Sequence, residues 1–482
     1  MSKKSLNSRR SFIKKTALTT FGISIIPRHV MGKGFVAPSD KLNIAIVGAG
    51  GKGYSDMMNV WNNGANNIVA ICDVDWNSAS KAFSKFPKAK QFKDYRKLLE
   101  DSSGIDAITV STPDHTHAVI TLAAMQLNKD VYVQKPLTHS IHEARVLTEA
   151  AKKYKIVTQM GNQGASGQGV KIMADWFNSG MIGTVNHVDV WTNRPVWPQG
   201  IKTPTDKPAI LDNLDWDTWV GPAQWVDYHP LYHPFKWRGW WNFGTGALGD
   251  MGCHLMDPPY RVLGLGYPTE VESSVGAVFT RDWTPDYFPE SCPPSSRTQL
   301  KFEATDKNPS EVKLNWTDGG LRPFHPELIP ADHPIGDENS ANGVIMIGEK
   351  GIITCGTYGR NPKLYLNSGE IILPEDSDYE EISLPENGHP HKWVEACKAG
   401  YESKEHQALT SSFDFAGPLT ESILMGNLAI RSYNLREENN NRFEYPGRKK
   451  LLWDGKNMKI TNFEPANQFV KRAYREGWKL DF

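Results

Sequence analysis

Leu42-Asn43-Ile44-Ala45-Ile46-Val47-Gly48-Ala49-Gly50-Gly51-Lys52-Gly53 is the stretch on which the reading of this chain turns. Its first six residues make an apolar, β-branched run of strand length, and G-x-G-x-x-G follows at once. A strand feeding a glycine turn that opens a helix is the start of a βαβ unit built around a dinucleotide. Gly48 permits the tight turn, Gly50 lets backbone approach a pyrophosphate, and Gly53 lets the helix pack closely with its N-terminus toward phosphate. Gly51 and Lys52 lie inside the same turn. A second buried strand, Ile68 to Cys72, ends at Asp73, twenty residues past Gly53. A carboxylate there accepts hydrogen bonds from the adenosine ribose hydroxyls and repels a 2′-phosphate, which favours NAD; Lys52 is the feature that speaks for NADP.

Moving outward, the βαβ rhythm continues through the strand Ile105 to Val110, the loop Ser111-Thr112-Pro113-Asp114-His115-Thr116-His117 and a helix near Ala118 to Gln126. The strand Asp130 to Val133 then runs into Gln134-Lys135-Pro136, and a helix, Ile141 to Lys153, and a strand, Ile156 to Met160, precede Gly161-Asn162-Gln163. The T-P-x-x-x-H loop followed by a strand and (E/Q)-K-P resembles the Gfo/Idh/MocA family of sugar and polyol oxidoreductases. By motif the resemblance covers residues 41 to 265. It implies an α/β chain: an NAD-binding Rossmann domain at 41–160, then an α+β substrate and oligomerisation domain at 161–482. The second domain should carry a large, mainly antiparallel open sheet, and the chain should form a homo-oligomer, a dimer or a tetramer. Stretches of alternating polarity at Val185–Trp191, Thr298–Phe302 and Val312–Trp316 suit that sheet. The resemblance also assigns Ser111, Thr112, Pro113, His117, Gln134, Lys135 and Gln163 to the cofactor. The family pattern usually has glutamate where this chain has Gln134, so a negative charge beside Lys135 is missing.

A second constellation lies in Gly244-Thr245-Gly246-Ala247-Leu248-Gly249-Asp250-Met251-Gly252-Cys253-His254, with Asp257 and Pro258-Pro259 close behind. Asp250 and His254 are i and i+4, so on a helix they share a face; that spacing fits a base and the group that orients it. In the family an aspartate and a histidine at D-x-x-x-H spacing stand beside the nicotinamide with the K-P lysine, and Lys135, Asp250 and His254 match that set. Oxidising an alcohol needs a base for the hydroxyl proton and a donor for the developing alkoxide. The expectation is His254 as base, Lys135 as donor and Asp250 holding the imidazole, with Lys135 and His254 able to exchange roles.

Eight of the 16 tryptophans fall between Trp191 and Trp241. Such rings either cover the core of a proline-rich insertion or stack on the C–H face of a sugar, with polar neighbours bonding its hydroxyls. The expected pocket comprises Arg194, Trp197, Trp237, Arg238 and His254. A sugar or glycoside is the expected partner. Metal is not expected, because His115-x-His117, His229-x3-His233 and His389-x-His391 lack convergent carboxylates or thiolates.

The rest of the composition excludes more than it specifies. Across 482 residues Lys plus Arg and Asp plus Glu both number 54, so no basic field exists to hold a phosphate backbone, and nucleic acid is not an expected partner. Five scattered cysteines write neither a disulfide framework nor a zinc ribbon. Residues 1–40 read as an N-terminal arm in which Ser8-Arg9-Arg10-Ser11-Phe12-Ile13-Lys14 resembles a twin-arginine export signal; an ordinary amphipathic arm is the alternative, and no cleavage site stands out. The apolar run Ala17 to Ile26 is too short to span a bilayer. Periplasmic work with scarce free NAD would require a cofactor kept through turnover. Two reactions meet that condition: an oxidation coupled to reduction of a second sugar or carbonyl at the same nicotinamide, which is the expected one, or a glycosidase working by transient C3 oxidation and elimination; a non-catalytic NAD-containing sugar sensor is a third reading, from another class. Pro285–Pro294 and Glu375–Glu381 read as solvated loops.

Overall fold

Six short apolar runs build the first sheet: β1 (Asn43–Val47), β2 (Asn67–Cys72), β3 (Lys90–Phe92), β4 (Ala107–Val110), β5 (Asp130–Val133) and β6 (Thr158–Met160). The computed structural model describes residues 40–374, 388–440 and 442–482, so the export signal and the run Glu375–Glu381 lie outside the described residues. All pairings in this sheet are parallel and the order is β3-β2-β1-β4-β5-β6, the doubly wound arrangement with its switch point between β1 and β4. The central strands are apolar on both faces because helices cover both.

Register places the loops of the site. Val47 pairs with Cys72 on one side and with Val110 on the other, Val110 with Val133, and Val133 with Met160. The residues that leave these strands, Gly48, Asp73, Ser111, Gln134 and Gly161, therefore emerge side by side along one edge, where open α/β sheets bind ligands.

The second sheet has ten strands: β7 (Val185–Trp191), β8 (Glu270–Val275), β9 (Ser296–Phe302), β10 (Val312–Thr317), β11 (Gly343–Gly348), β12 (Gly351–Cys355), β13 (Lys363–Leu366) and β14 (Ile371–Ile372), joined after a small hairpin, β15 (Glu437–Asn439) and β16 (Arg442–Glu444), by β17 (Leu451–Asp454) and β18 (Lys459–Ile460). Its order is β14-β13-β12-β11-β7-β10-β9-β8-β17-β18, antiparallel except for β7 with β10. The 21-residue helix Phe413–Tyr433 packs on the helices Ile141–Tyr154 and Gly246–Leu255, and the Arg145 guanidinium grips Glu421 through two 2.8 Å hydrogen bonds.

Two features depart from the sequence reading. The chain returns to the first sheet long after residue 160: in the helix Gly388–Ala399, Trp393 is fully buried against Tyr132 and donates to the Val157 carbonyl at 3.3 Å. The insertion has its own core of Trp216, Trp219, Tyr228, Tyr232, Trp240 and Phe243, the covering role that is one alternative for its rings, with Trp216 stacked on Trp219 at 4.6 Å. Trp191 belongs to a separate cluster under the second sheet. Within the supposed loop Pro285–Pro294, Ser291 and Cys292 are buried because they bond Gly200 and Gly239.

Candidate active site

One cavity of about 800 Å³ runs along the carboxyl edge of the first sheet. Its first part is the glycine turn. Gly48 has φ +82°, and a side chain there would meet the Ser111 carbonyl at 2.6 Å; one at Gly53 would meet the Gly48 carbonyl at 1.9 Å. Only glycine lets this turn close so tightly on the neighbouring loop. The helix Lys52–Trp61 begins at Gly51 with no side-chain cap, so no side chain competes with phosphate for its first N–H groups, of which that of Gly53 bonds the Gly50 carbonyl at 2.9 Å. Asp73 closes the turn from β2: one carboxylate oxygen accepts from the Ala49 and Gly50 N–H groups at 2.8 and 3.2 Å, the other from Asp75 N–H at 2.9 Å. Burial raises the Asp73 pKa, and those N–H groups pull the other way. A carboxylate has lone pairs beyond these three bonds, so it can still receive ribose hydroxyls.

Gln134 explains its own departure from the glutamate pattern. Its amide donates to Asp56 at 2.8 Å, and the same fully buried carboxylate accepts from Ser111 Oγ at 2.9 Å and pairs with Lys52 at 2.9 Å. A glutamate there would set two buried anions together. Asp56 sits mid-helix and carried no sequence signal.

The chemical end gathers Lys135, Asp250 and His254. Lys135 Nζ donates to the Asp250 carboxylate and to its carbonyl, both at 2.8 Å, and Arg238 Nε approaches the same carboxylate at 3.6 Å. Burial alone would raise the Asp250 pKa; the charges of Lys135 and Arg238 outweigh it and hold the group below its ordinary value. The carboxylate thus bonds the lysine and not His254, a correction to its expected role as imidazole orienter. The His254 ring instead meets Tyr358 edge to face at 4.6 Å, and its Nδ1 is buried with no hydrogen-bond partner. Burial first, and the Lys135 charge second, push its pKa well below 6.5, which leaves a neutral imidazole.

The other expected residues divide. Gly50, Gly51, Lys52, Ser111, Thr112, Pro113, Gln163, Arg194, Trp237 and Arg238 line the cavity. His117 opens the helix His117–Gln126 but is buried behind the wall, its ring bonded to the Pro136 and Thr112 carbonyls at 2.8 Å, so it ties two loops together. Trp197 is buried outside the cavity with its indole N–H on Gln199 at 2.9 Å, because its ring packs against Phe235. From the insertion, Trp219 and His233 reach the cavity; His233 faces Asp75 at 3.2 Å, on the β2 side away from His254. Sequence reasoning missed Asp56, Asp75 and Tyr358. Tyr358 had one legible sign only, the Gly356-Thr-Tyr-Gly359 turn in which it adopts φ +67°. His115, His117, His389 and His391 are bonded to backbone carbonyls, and among the described residues no His, Cys, Asp and Glu group is placed to hold a metal. No helix among them is long and apolar enough to cross a membrane.

Comparison with known proteins agrees with this fold. Residues 42–162 match an oxidoreductase family described as an NAD-binding Rossmann fold, and residues 168–279 match its C-terminal alpha/beta domain. Levoglucosan dehydrogenase of Pseudarthrobacter phenanthrenivorans is 24% identical over 254 residues, which cover 51% of this chain and 55% of that protein. An α-N-acetylgalactosaminidase of Shewanella oneidensis is 24% identical over 204 residues, 37% of this chain and 44% of that one. The chain thus spans about half the length of these curated relatives. The crystal structure of an inositol dehydrogenase homologue from Azotobacter vinelandii, complexed with NADH and myo-inositol, superposes with a TM-score of 0.53 at 16% identity over 80% of this chain and 93% of that one, which shows a common fold. Residues 42–162 and 168–279 thus match the two domain models of the Gfo/Idh/MocA oxidoreductase family.

Proposed function

We propose that the protein oxidises a hydroxyl of a sugar or glycoside, using a tightly held NAD. The observation that carries this reading is the convergence of Lys135, Asp250 and His254 on the cavity that also holds the glycine turn. Bound there, the nicotinamide would supply the acceptor for the hydride leaving carbon. The turn Gly48–Gly53, Asp73, the Ser111–Pro113 loop, Gln134 and Gln163 would hold the dinucleotide. Neutral His254 takes the hydroxyl proton, and Lys135, ion-paired with Asp250, donates a hydrogen bond to the oxygen that acquires charge. Asp250 acts by aiming the lysine, and Tyr358 by bracing the imidazole. Export in the folded state, read from Ser8–Lys14, fits a cofactor retained through turnover, the hydride being passed on to a second sugar or carbonyl that is reduced at the same nicotinamide.

The test is made on protein purified without added nucleotide and dialysed. Wild type, His254→Ala and Lys135→Ala should retain equal dinucleotide, while formation of keto-sugar from glycosides or inositols falls by roughly 10² to 10⁴ in either variant. Unchanged turnover in both would sink the assignment. A second reading, elimination of the C1 substituent after C3 oxidation, is favoured by the glycosidase relative and by the phenol ring of Tyr358 beside His254. Aglycone release with deuterium taken up at C2 from deuterated water would establish it in place of simple oxidation.

A further inference from the structure

The cations at the chemical end of the cavity are not balanced. Lys135 and Arg238 both turn to Asp250. Asp114, the other acid on this wall, accepts from Thr245 Oγ at 2.7 Å, and burial pushes its pKa up. That leaves Arg194. Its guanidinium donates to the neutral Asn193 amide oxygen at 2.7 Å and has no carboxylate partner among the described residues, yet it lines the cavity. A guanidinium carries five donors in a planar fork, so most of its capacity is left unspent.

Topology puts Arg194 at the Tyr358–His254 end. Trp191, the last residue of β7, pairs with Gly343 of β11, and Val344 pairs with Cys355, the last residue of β12. The loops bearing Arg194 and Tyr358 thus leave the same end of the second sheet, each three residues beyond its strand. One hydrogen-bonded chain locks them together. Thr357 donates to Asp337 through N–H and Oγ at 2.8 and 2.9 Å, Asn342 donates to Asp337 at 2.9 Å, Thr192 donates to Asn342 at 2.7 Å, and Arg194 N–H donates to Thr192 at 3.2 Å. A long, rotamer-rich cation is expensive to position. A half-buried polar chain that sets its backbone against the residue packed on His254 gives the position a purpose.

We propose that Arg194 is a carboxylate-recognising subsite, and that the sugar oxidised here is a uronic acid or uronide whose carboxylate docks on that guanidinium. The proposal rests on the oxidoreductase reading for the fate of the sugar and on Arg194 and its supporting chain for the charge. A planar fork matches a carboxylate with two parallel hydrogen bonds.

The experiment titrates dialysed, dinucleotide-containing protein with methyl β-glucuronide, methyl β-glucoside and methyl β-glucoside 6-sulfate by calorimetry, and assays each for oxidation. The uronide should bind roughly 10- to 100-fold more tightly than the glucoside, the scale of charge-assisted hydrogen bonds. Arg194→Met should lower uronide affinity far more than glucoside affinity, so that their ratio collapses, and Arg194→Lys should restore part of it as a point charge without the fork. Dinucleotide content of each variant reports that it has folded. Equal binding of uronide and glucoside, or a preference that survives in Arg194→Met, overturns the subsite. Tighter binding of the sulfate ester overturns the carboxylate. Oxidation of glucoside without uronide preference removes this inference alone, whereas Arg194-dependent uronide binding without any oxidation keeps it and removes the oxidoreductase reading.

Discussion

His254 illustrates how much a single residue owes to its surroundings. An i, i+4 carboxylate on an exposed helix would raise an imidazole's pKa, but here Asp250 is committed to Lys135, and burial together with the lysine's charge drives the imidazole the other way. A base must be deprotonated to act, so the acid limb of kcat/KM should lie below pH 6.5. Removing the lysine charge in Lys135→Met should move the His254 titration upward, read by NMR of the ring; an unmoved titration would show that the lysine does not act on the imidazole. Gln134 makes the complementary case. In Gln134→Glu a second carboxyl meets Asp56, so its pKa rises in the folded state. The folded protein then binds more protons than the unfolded chain, and stability should fall as pH rises above about 4.3, by about 1.4 kcal/mol for each tenfold gain in the carboxyl's proton affinity on folding. Denaturant titrations at several pH values measure this, and a pH-independent loss would assign the effect to packing instead.

At the scale of elements, the first sheet acts as a ruler. Because its strands pair in parallel register at their carboxyl ends, five loops that are far apart in sequence open onto one cavity. The turn between β1 and its helix is the least tolerant of them. Gly53→Ala would force a Cβ to 1.9 Å from the Gly48 carbonyl, so the helix must move off the strand and carry its N–H groups away from phosphate. The dialysed variant should lose its dinucleotide while its far-ultraviolet circular dichroism stays near wild type. Asp73→Ala should also weaken binding and relax discrimination against the 2′-phosphate. Since that carboxylate grips Ala49 and Gly50, the variant should additionally loosen the turn itself. The insertion works as an element too: Asp215 N–H bonds the Val74 carbonyl at 2.9 Å and Leu214 bridges to Asp75, which fastens it to the loop after β2.

Across the whole molecule the two sheets come from consecutive pieces of chain, 43–160 and 185–460, but the layers that cover the first do not. The Gly388–Ala399 helix closes a face of the Rossmann sheet from the far end of the sequence, and the segment near the C-terminus ties that domain to the insertion, with Arg472 and Tyr474 on Glu143 at 2.8 and 2.6 Å and Arg475 on the Gly221 carbonyl at 3.0 Å. Stability of the cofactor domain therefore depends on residues outside 41–160. Trp393→Ala should cost about 3–5 kcal/mol, the range for deleting a buried aromatic ring, and should lower dinucleotide retention with it. A variant with unaltered unfolding midpoint would mean that the helix only rests on the sheet.

What the sequence determined by itself is what is local. The strand, glycine turn and acid of the dinucleotide site, the K-P lysine and the helical Asp250–His254 pair are each short motifs whose geometry follows from backbone periodicity. Composition could not separate stacking tryptophans from core tryptophans, because both are amphipathic rings among polar neighbours; only packing made Trp197 a covered residue and Trp237 a lining one. Tertiary structure alone decided that Asp250 serves Lys135, that Asp56 stands behind Gln134, and that Tyr358 and Arg194 share one wall. The hydrogen bonds behind these pairings join residues 78 to 150 positions apart, and no local pattern encodes them. They exist because strand register and packing bring the groups within reach, where charges and hydrogen bonds must be satisfied.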